Sequence, residues 1–367
     1  MTTSSPSRVE HFDTIVIGGG QAGLAAGHYL AAGDADFVIL SADARVGDNW
    51  RRRWDSLRLF TPASHSGLPG MPFPAPPSHF PDKDEVADYL ERYAERFDLP
   101  VRANTHVTSL IRDGDRYVVR TAGGFTFEAD NVVVATGSFQ KPRLPNVSSR
   151  LAPSIHQLHS SRYTNPLDLP AGPVLVVGTA SSGAQIALEL SRVRKVWLAG
   201  RDVGHLPRRV LGADIFTWLW PVMKRATMDT RLGRRMRAGF SAGGDKRMGI
   251  PHRVLTDAGI LRVGRVEEER GGQPVCGGNV IDPRVIIWAT GFEPDYRWIE
   301  LPIFAGDGYP RHQRGVVADA PGLFFLGLRL QYRISSSLVG GVGDDAAFIA
   351  GQVLRRSERE PVEATMV

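Results

Sequence analysis

Thr14-Ile15-Val16-Ile17-Gly18-Gly19-Gly20-Gln21-Ala22-Gly23 is the stretch that decides the fold. Its four opening residues, mostly β-branched, read as a buried parallel strand, and that strand runs directly into G-x-G-x-x-G. Leu24 to Ala32 follows, small and apolar enough to pack tightly as a helix, and Phe37-Val38-Ile39-Leu40 supplies a second strand. In such a βαβ unit the first glycine allows the tight turn and the second lets the backbone approach a pyrophosphate. The third lets helix and strand pack closely, with the helix N-terminus facing phosphate charge. A glycine-rich turn alone binds nothing; in this context it predicts a dinucleotide site at Gly18, Gly20, Gln21, Ala22 and Gly23. The acid that usually ends the second strand and holds the ribose is replaced by Ser41, with Asp43 two residues on. Serine still donates and accepts, so the adenosine is expected to be less firmly anchored.

Downstream, Asp82 and Glu85 form a possible capping box before Val86, Tyr89, Leu90, Tyr93, Ala94 and Phe97 at helical spacing, the pattern of a core-facing helix. Val107–Ile111, Tyr117–Thr121 and Phe125–Phe127 read as a three-strand antiparallel meander, turned by Asp113-Gly114 and Gly123-Gly124. Asn131 to Gly137 then reads as a strand ending in Ala-Thr-Gly, an order that suits a flavin-binding domain.

A second glycine turn follows the apolar strand Val174–Val177: Gly178-Thr179-Ala180-Ser181-Ser182-Gly183, leading into a helix. Ala180 stands where the second glycine would be and adds a methyl group near the phosphate path, while Ser181 and Ser182 add hydroxyl donors. The next strand ends at Arg201, where an acid would select NADH; arginine suits the 2′-phosphate of NADPH, the alternative being a surface arginine. Val285 to Phe292 repeats the strand-then-Ala-Thr-Gly arrangement. Pro283, Pro294 and Asn165-Pro166 to Pro170 mark crossings between the two modules.

Composition allows this. The 367 residues suffice for two domains, and 42% hydrophobic and 23% charged residues exclude a disordered, collagen-like or coiled-coil chain. The single cysteine, Cys276, rules out an internal disulfide, a dithiol redox pair and a four-thiolate metal site, so redox chemistry needs an organic cofactor. No apolar run reaches the roughly 18 residues of a membrane span, and Met1 to His11 is polar; a cytoplasmic location is expected.

The net charge of +5 is uneven: Arg201 to Arg253 carries twelve Lys or Arg against four Asp, a local +8. No nucleic-acid recognition motif accompanies this segment, so nucleic acid is not expected as a partner. Within it, Ile215 to Met223 has an apolar stripe that fits a membrane-surface helix or an interdomain or substrate-tunnel helix, the latter being preferred because such stripes usually face a core. Arg208 and Arg209 suit a cofactor phosphate, a substrate carboxylate or plain solvation. His156 and His159 have helix-compatible spacing but no carboxylate or thiol cluster beside them, and no metal is expected.

The whole order of motifs resembles the class B flavoprotein monooxygenases: the flavin-containing, Baeyer–Villiger and indole-3-pyruvate monooxygenases. The resemblance covers residues 12 to 352 and rests on Gly18 to Gly23, Gly47-Asp48-Asn49-Trp50, Trp54 to Leu59, Leu68 to Pro74, both Ala-Thr-Gly segments and Gly322 to Gly327. It implies an α/β fold of two dinucleotide-binding, Rossmann-like domains, the NADPH domain (166–289) inserted in the FAD domain (1–165 and 290–367). Besides the residues of the first turn, cofactor contacts are expected at Ser41, Asn49, Trp50, Val107, Thr136, Gly137, Gly178, Ser181, Ser182, Gly183, Arg201, Thr290 and Gly291. It further implies monooxygenation of a small organic substrate with NADPH and O2 through a C4a-(hydro)peroxyflavin. The alternatives are an NADPH oxidase or electron-transfer reductase, and a non-catalytic FAD- and NADPH-binding scaffold.

Three departures narrow the expectation. Only His159 and Tyr163 match the family's interdomain signature, F-x-G-x-x-x-H-x-x-x-Y. Phe60 replaces an asparagine found near the flavin of amine-oxidising members, which disfavours tertiary amines. Leu328 after Gly327, with the lone cysteine, argues against the disulfide-reductase branch. No catalytic side chain is singled out, and the sequence carries no signal for oligomeric state.

Overall fold

The computed structural model describes residues 9–236 and 245–358. Parts of three expectations, the outer ends of the FAD-binding segments and the centre of the basic segment, lie outside the described residues.

The first sheet grows from the opening βαβ unit. Strand β1 (Val9–Ile17), helix α1 (Gln21–Ala32) and strand β2 (Phe37–Leu40) are followed by helix α2 (Lys83–Arg96), then β3 (Val101–Arg102), β4 (Val107–Asp113), β5 (Arg116–Thr121) and β6 (Thr126–Val134). The order is β3-β2-β1-β6-β5-β4, and Leu323–Phe325 returns to pair in parallel with β6 as a seventh strand. Alternation along β1 and β2 feeds two cores, as the two-residue period requires. Val16 and Ile39 face α1, α2 and helix Gly343–Ser357, whereas Ile15, Ile17, Val38 and Leu40 face Leu110, Tyr117 and Phe325. The capping box forms: the Asp82 carboxylate accepts the Glu85 N–H, and the Glu85 carboxylate accepts the Asp82 N–H.

One difference from the sequence reading is that the third meander strand and the strand before Ala-Thr-Gly are continuous. Residues 126–134 pair antiparallel with β5 on one edge and parallel with β1 on the other. Polar Glu128, Asp130 and Asn131 interrupt the apolar run, which is why the sequence reads as two segments.

The second sheet is all parallel. Its strands are β7 (His156–His159), β8 (Val174–Val177), β9 (Val196–Ala199), β10 (Leu261–Val263) and β11 (Val285–Trp288), in the order β10-β9-β8-β11-β7. Helix α3 (Ser181–Ser191) follows β8. His156 and His159 therefore lie on a strand, and β7 places residues before 166 in the second sheet, so the expected edge at 165/166 falls too late. The turn-rich residues 165–170 had suggested a crossing, but β7 has already joined β11.

Helix α4 (Ile215–Arg225) buries Ile215, Phe216, Trp220 and Met223 against Phe60, Met248, Ile334 and Leu338. Its apolar stripe thus packs between segments of both halves of the chain. No helix among the described residues is long and apolar enough to cross a membrane.

Candidate cofactor sites

Both glycine turns have the geometry their sequences require, though each glycine has its own reason. Gly18 has φ +119°, and a Cβ there would lie 2.6 Å from the Ala135 carbonyl oxygen. A Cβ on Gly23 would fall on the carbonyl oxygen of Gly18, closer than any real contact, so Gly23 serves helix-to-turn packing. Gly20 is different: it is the N-cap of α1, no side chain caps that helix, and the atom facing an added Cβ is Asn49 Nδ2 at 3.5 Å. Room and uncapped N–H groups coincide there, the combination a phosphate needs. Gln21 and Ala22 open the helix beside it.

The short helical turn Asp48–Arg51 holds Asn49 and Trp50. Asn49 Oδ1, Trp50 Nε1 and Trp54 Nε1 are buried and have no hydrogen-bond partner among the described residues. A buried polar atom without a partner costs about 1–3 kcal/mol, and these atoms fit a bound polar group. Ser41 is buried beside Gly19, its Oγ 2.8 Å from where a Cβ on Gly19 would stand. Asp43 pairs with Arg52 at 2.5 Å. Val107, half-buried at the start of β4, packs on the core beneath the sheet. At the first Ala-Thr-Gly, Gln140 Nε2 donates to Thr136 Oγ1 at 2.7 Å and to the Gly137 carbonyl at 3.0 Å, leaving Gly137 with open space at its Cα.

In the second turn Gly178 (φ +121°) and Gly183 repeat the packing roles of Gly18 and Gly23, against Ala289 and against each other. Ala180 is the N-cap of α3, again without a side-chain cap. Ser182 is exposed. The Ser181 hydroxyl is engaged: it donates to the Lys246 carbonyl at 3.4 Å and accepts the Met248 N–H at 3.3 Å. That bond fastens the turn to segment 246–248, a role the local sequence does not reveal.

Arg201 is exposed just past the end of β9, and its carbonyl accepts the Thr179 hydroxyl. Next to it, Asp202 accepts Arg247 Nη2 at 2.9 Å and approaches Arg262 Nη1 at 3.5 Å. The Gly204 N–H, and then these arginines, hold the Asp202 carboxyl below the usual carboxylate range. Arg247 is 1% exposed and also donates to the Ile250 and Thr179 carbonyls. Sequence reasoning missed it, since nothing local separates one arginine of a basic segment from another.

At the second Ala-Thr-Gly, Thr290 donates from Oγ1 to the Arg143 carbonyl, and the Thr290 carbonyl accepts Arg143 Nε and Nη2 at 3.2 and 3.0 Å. Arg208 is half-buried and donates to the Phe60 carbonyl at 2.6 Å with its guanidinium 3.8 Å from the Phe80 ring centroid; Arg209 is exposed. A cavity of about 690 Å³ lies beside α4, lined by Ala63, His65, Leu68, Phe73, Trp220 and Lys224 among others, with His65 stacked on Trp220 at 4.7 Å. No cluster of three His, Cys, Asp or Glu suited to a metal occurs among the described residues.

Comparison with known proteins agrees with this geometry. A family model described as pyridine nucleotide-disulphide oxidoreductase matches residues 15–236, which include both glycine turns. An uncharacterized CzcO-like oxidoreductase from Geobacillus kaustophilus is 42% identical, over 93% of this chain and 98% of its own. Indole-3-pyruvate monooxygenase YUCCA4 from Oryza sativa is 27% identical, over 93% and 87%. A solved structure of a flavin monooxygenase variant from Stenotrophomonas maltophilia superimposes with TM-score 0.79 at 27% identity, covering 95% of this chain and 99% of that one. This chain has no second cysteine for dithiol chemistry, and burial pushes the Cys276 thiol up to about 11. The chain belongs to the pyridine nucleotide-disulphide oxidoreductase family and is an oxidoreductase with the fold of the flavin monooxygenases.

Proposed function

We propose that the protein is an NADPH- and O2-consuming flavin monooxygenase, with FAD at the first glycine turn and NADPH at the second. The observation that carries this reading is the pair of uncapped helix N-termini, α1 at Gly20 and α3 at Ala180, at the ends of central parallel strands in two separate sheets. The FAD domain is interrupted by the NADPH domain, with β7 counted in the latter, and Leu323–Phe325 resumes the former.

Each dinucleotide is assigned to residues with a physical reason to hold it. Gly20 leaves space for a pyrophosphate, and the unpartnered Asn49 and Trp50 groups offer polar contacts to FAD. Arg201 is assigned to the 2′-phosphate. Asp202, the next residue in the chain, is already engaged by two arginines, and this favours NADPH over NADH. When bound, FAD supplies hydride acceptance and O2 activation as a C4a-(hydro)peroxyflavin; the protein's part is to hold the nicotinamide in place and exclude water. The cavity beside Trp220, with its mixed polar and apolar lining, has room for a small organic substrate, and Phe60 in place of the asparagine of amine-oxidising members favours a ketone, 2-oxo acid or soft heteroatom over an exposed tertiary amine. A reducing, cytoplasmic setting accords with the single buried thiol.

The test is oxygen mixing. FAD-loaded protein, reduced anaerobically with NADPH and mixed with O2, should show a persistent absorbance band between those of reduced and oxidised flavin. Immediate return of oxidised flavin with stoichiometric peroxide would make it an oxidase.

A further inference from the structure

Within Asn49 to Trp54, donors without partners outnumber acceptors. Trp50 Nε1 and Trp54 Nε1 are buried and unpartnered, against one acceptor, Asn49 Oδ1. Between the two tryptophans, Arg51 donates to Asp88 and Glu91, and Arg52 pairs with Asp43. Arg53 makes neither a hydrogen bond nor an ion pair through its guanidinium among the described residues, although it is half-buried. Its guanidinium lies over a ring instead: Cζ is 5.8 Å from the centroid of Phe292. The charge that acts on it most is another cation, Arg52. A guanidinium withdrawn from water with five N–H donors and no acceptor is costly, and an anion would remove the cost.

Its position says which anion. Phe292 follows Thr290-Gly291 and Phe139 follows Gly137-Ser138, so the rings after both Ala-Thr-Gly turns meet here, 5.4 Å apart. His159 of β7 also touches Phe292, at 4.9 Å. Trp54 and Leu57, just beyond Arg53, belong to the core of the second sheet, while Trp50 packs on the cores of both. Arg53 therefore stands where the two units meet, against residues that close the second one.

We propose that Arg53 binds a dinucleotide phosphate at this seam, and that the phosphate is that of the nicotinamide dinucleotide. The alternative source, FAD, is disfavoured because the ring under Arg53 belongs to the second Ala-Thr-Gly turn. The inference rests on the assignment of NADPH to the Gly178 turn and adds a contact from the opposite side of the seam. The bond is charge-assisted and Arg-specific, since a planar fork matches phosphate oxygens where a lysine presents a single point.

The test uses FAD-loaded protein and NADP⁺ titrated by calorimetry, with flavin content and thermal midpoint measured alongside. Arg53→Met keeps the apolar stem over Phe292 and should weaken NADP⁺ binding about tenfold to a hundredfold. Flavin content should not change, and the midpoint without NADP⁺ should hold or rise, because an unpaired charge has been removed. Arg53→Lys should recover part of the affinity, and Arg52→Met should stay within about twofold of wild type. Unchanged NADP⁺ affinity in Arg53→Met overturns the assignment while leaving the proposed function standing. Loss of flavin, or a fall in midpoint matching the lost affinity, also overturns it, in favour of an FAD contact or a packing role. Wild-type protein that binds no NADP⁺ contradicts the proposed function, and this assignment with it.

Discussion

His159 Nε2 donates to the carbonyl of Gly291 at 3.0 Å, tying the edge strand of the second sheet to the end of the second Ala-Thr-Gly. Its Nδ1 accepts the Ser161 N–H at 3.1 Å, so the ring is neutral with its proton on Nε2. Burial lowers its pKa, and those of His28 and His65 move the same way for the same cause. The unfolded chain therefore takes up protons on these residues at a higher pH than the folded protein does. Stability should be full above about pH 6.5 and fall as pH drops below it, until the folded-state values are reached. His159→Gln should flatten that slope in chemical denaturation between pH 7 and 5.

The two glycines of the first turn should fail differently. Gly20→Ala meets only Asn49 Nδ2, at an ordinary contact distance of 3.5 Å, and should leave expression and the circular dichroism spectrum intact while reducing FAD retention. Gly23→Ala drives a Cβ into the Gly18 carbonyl and should lower the thermal midpoint sharply or prevent folding. Soluble yield and flavin absorbance of the two variants check this.

This pair also shows where sequence reading reached and where it stopped. G-x-G-x-x-G after a β-branched strand is a local pattern, so both turns, α1 and the helix capped by Asp82 were legible. It was silent on what surrounds each glycine, because the neighbours of Gly20 and Gly18, Asn49 and Ala135, arrive from elsewhere in the chain. The same holds for Ser181, which reads as a phosphate donor until Met248 is folded against it, and for Arg208, which packs on Phe80. The edge between the units was misplaced because β7 pairs across more than a hundred residues with β11.

Arg247 should be the stability-critical cation of the basic segment. Arg247→Met removes bonds to Asp202, Ile250 and Thr179 from a fully buried site, and should cost about 3 kcal/mol or more in denaturant unfolding. An exposed control, Arg209→Met, should stay within about 0.5 kcal/mol.

Cys276 should be chemically inert. With its thiol pushed up to about 11 and the side chain buried, it should resist thiol reagents at pH 8 in the native state and react only on unfolding. Cys276→Ala should reduce flavin with NADPH at the wild-type rate.

Nucleotide choice should sit at Arg201. Arg201→Ala should raise the concentration of NADPH needed for half-maximal flavin reduction about tenfold to a hundredfold, the value of one charge-assisted phosphate contact, with little change for NADH. Equal losses with both nucleotides would mark Arg201 as structural.

The most direct measurement of the central claim, that one chain holds a flavin and a nicotinamide in separate units and passes a hydride between them, is anaerobic stopped-flow reduction. Purified protein should be yellow, and mixing with NADPH should bleach the flavin band with a rate that saturates in NADPH and at lower concentrations than for NADH. Protein that takes up no FAD, or whose bound flavin is bleached by neither nucleotide, would contradict the account.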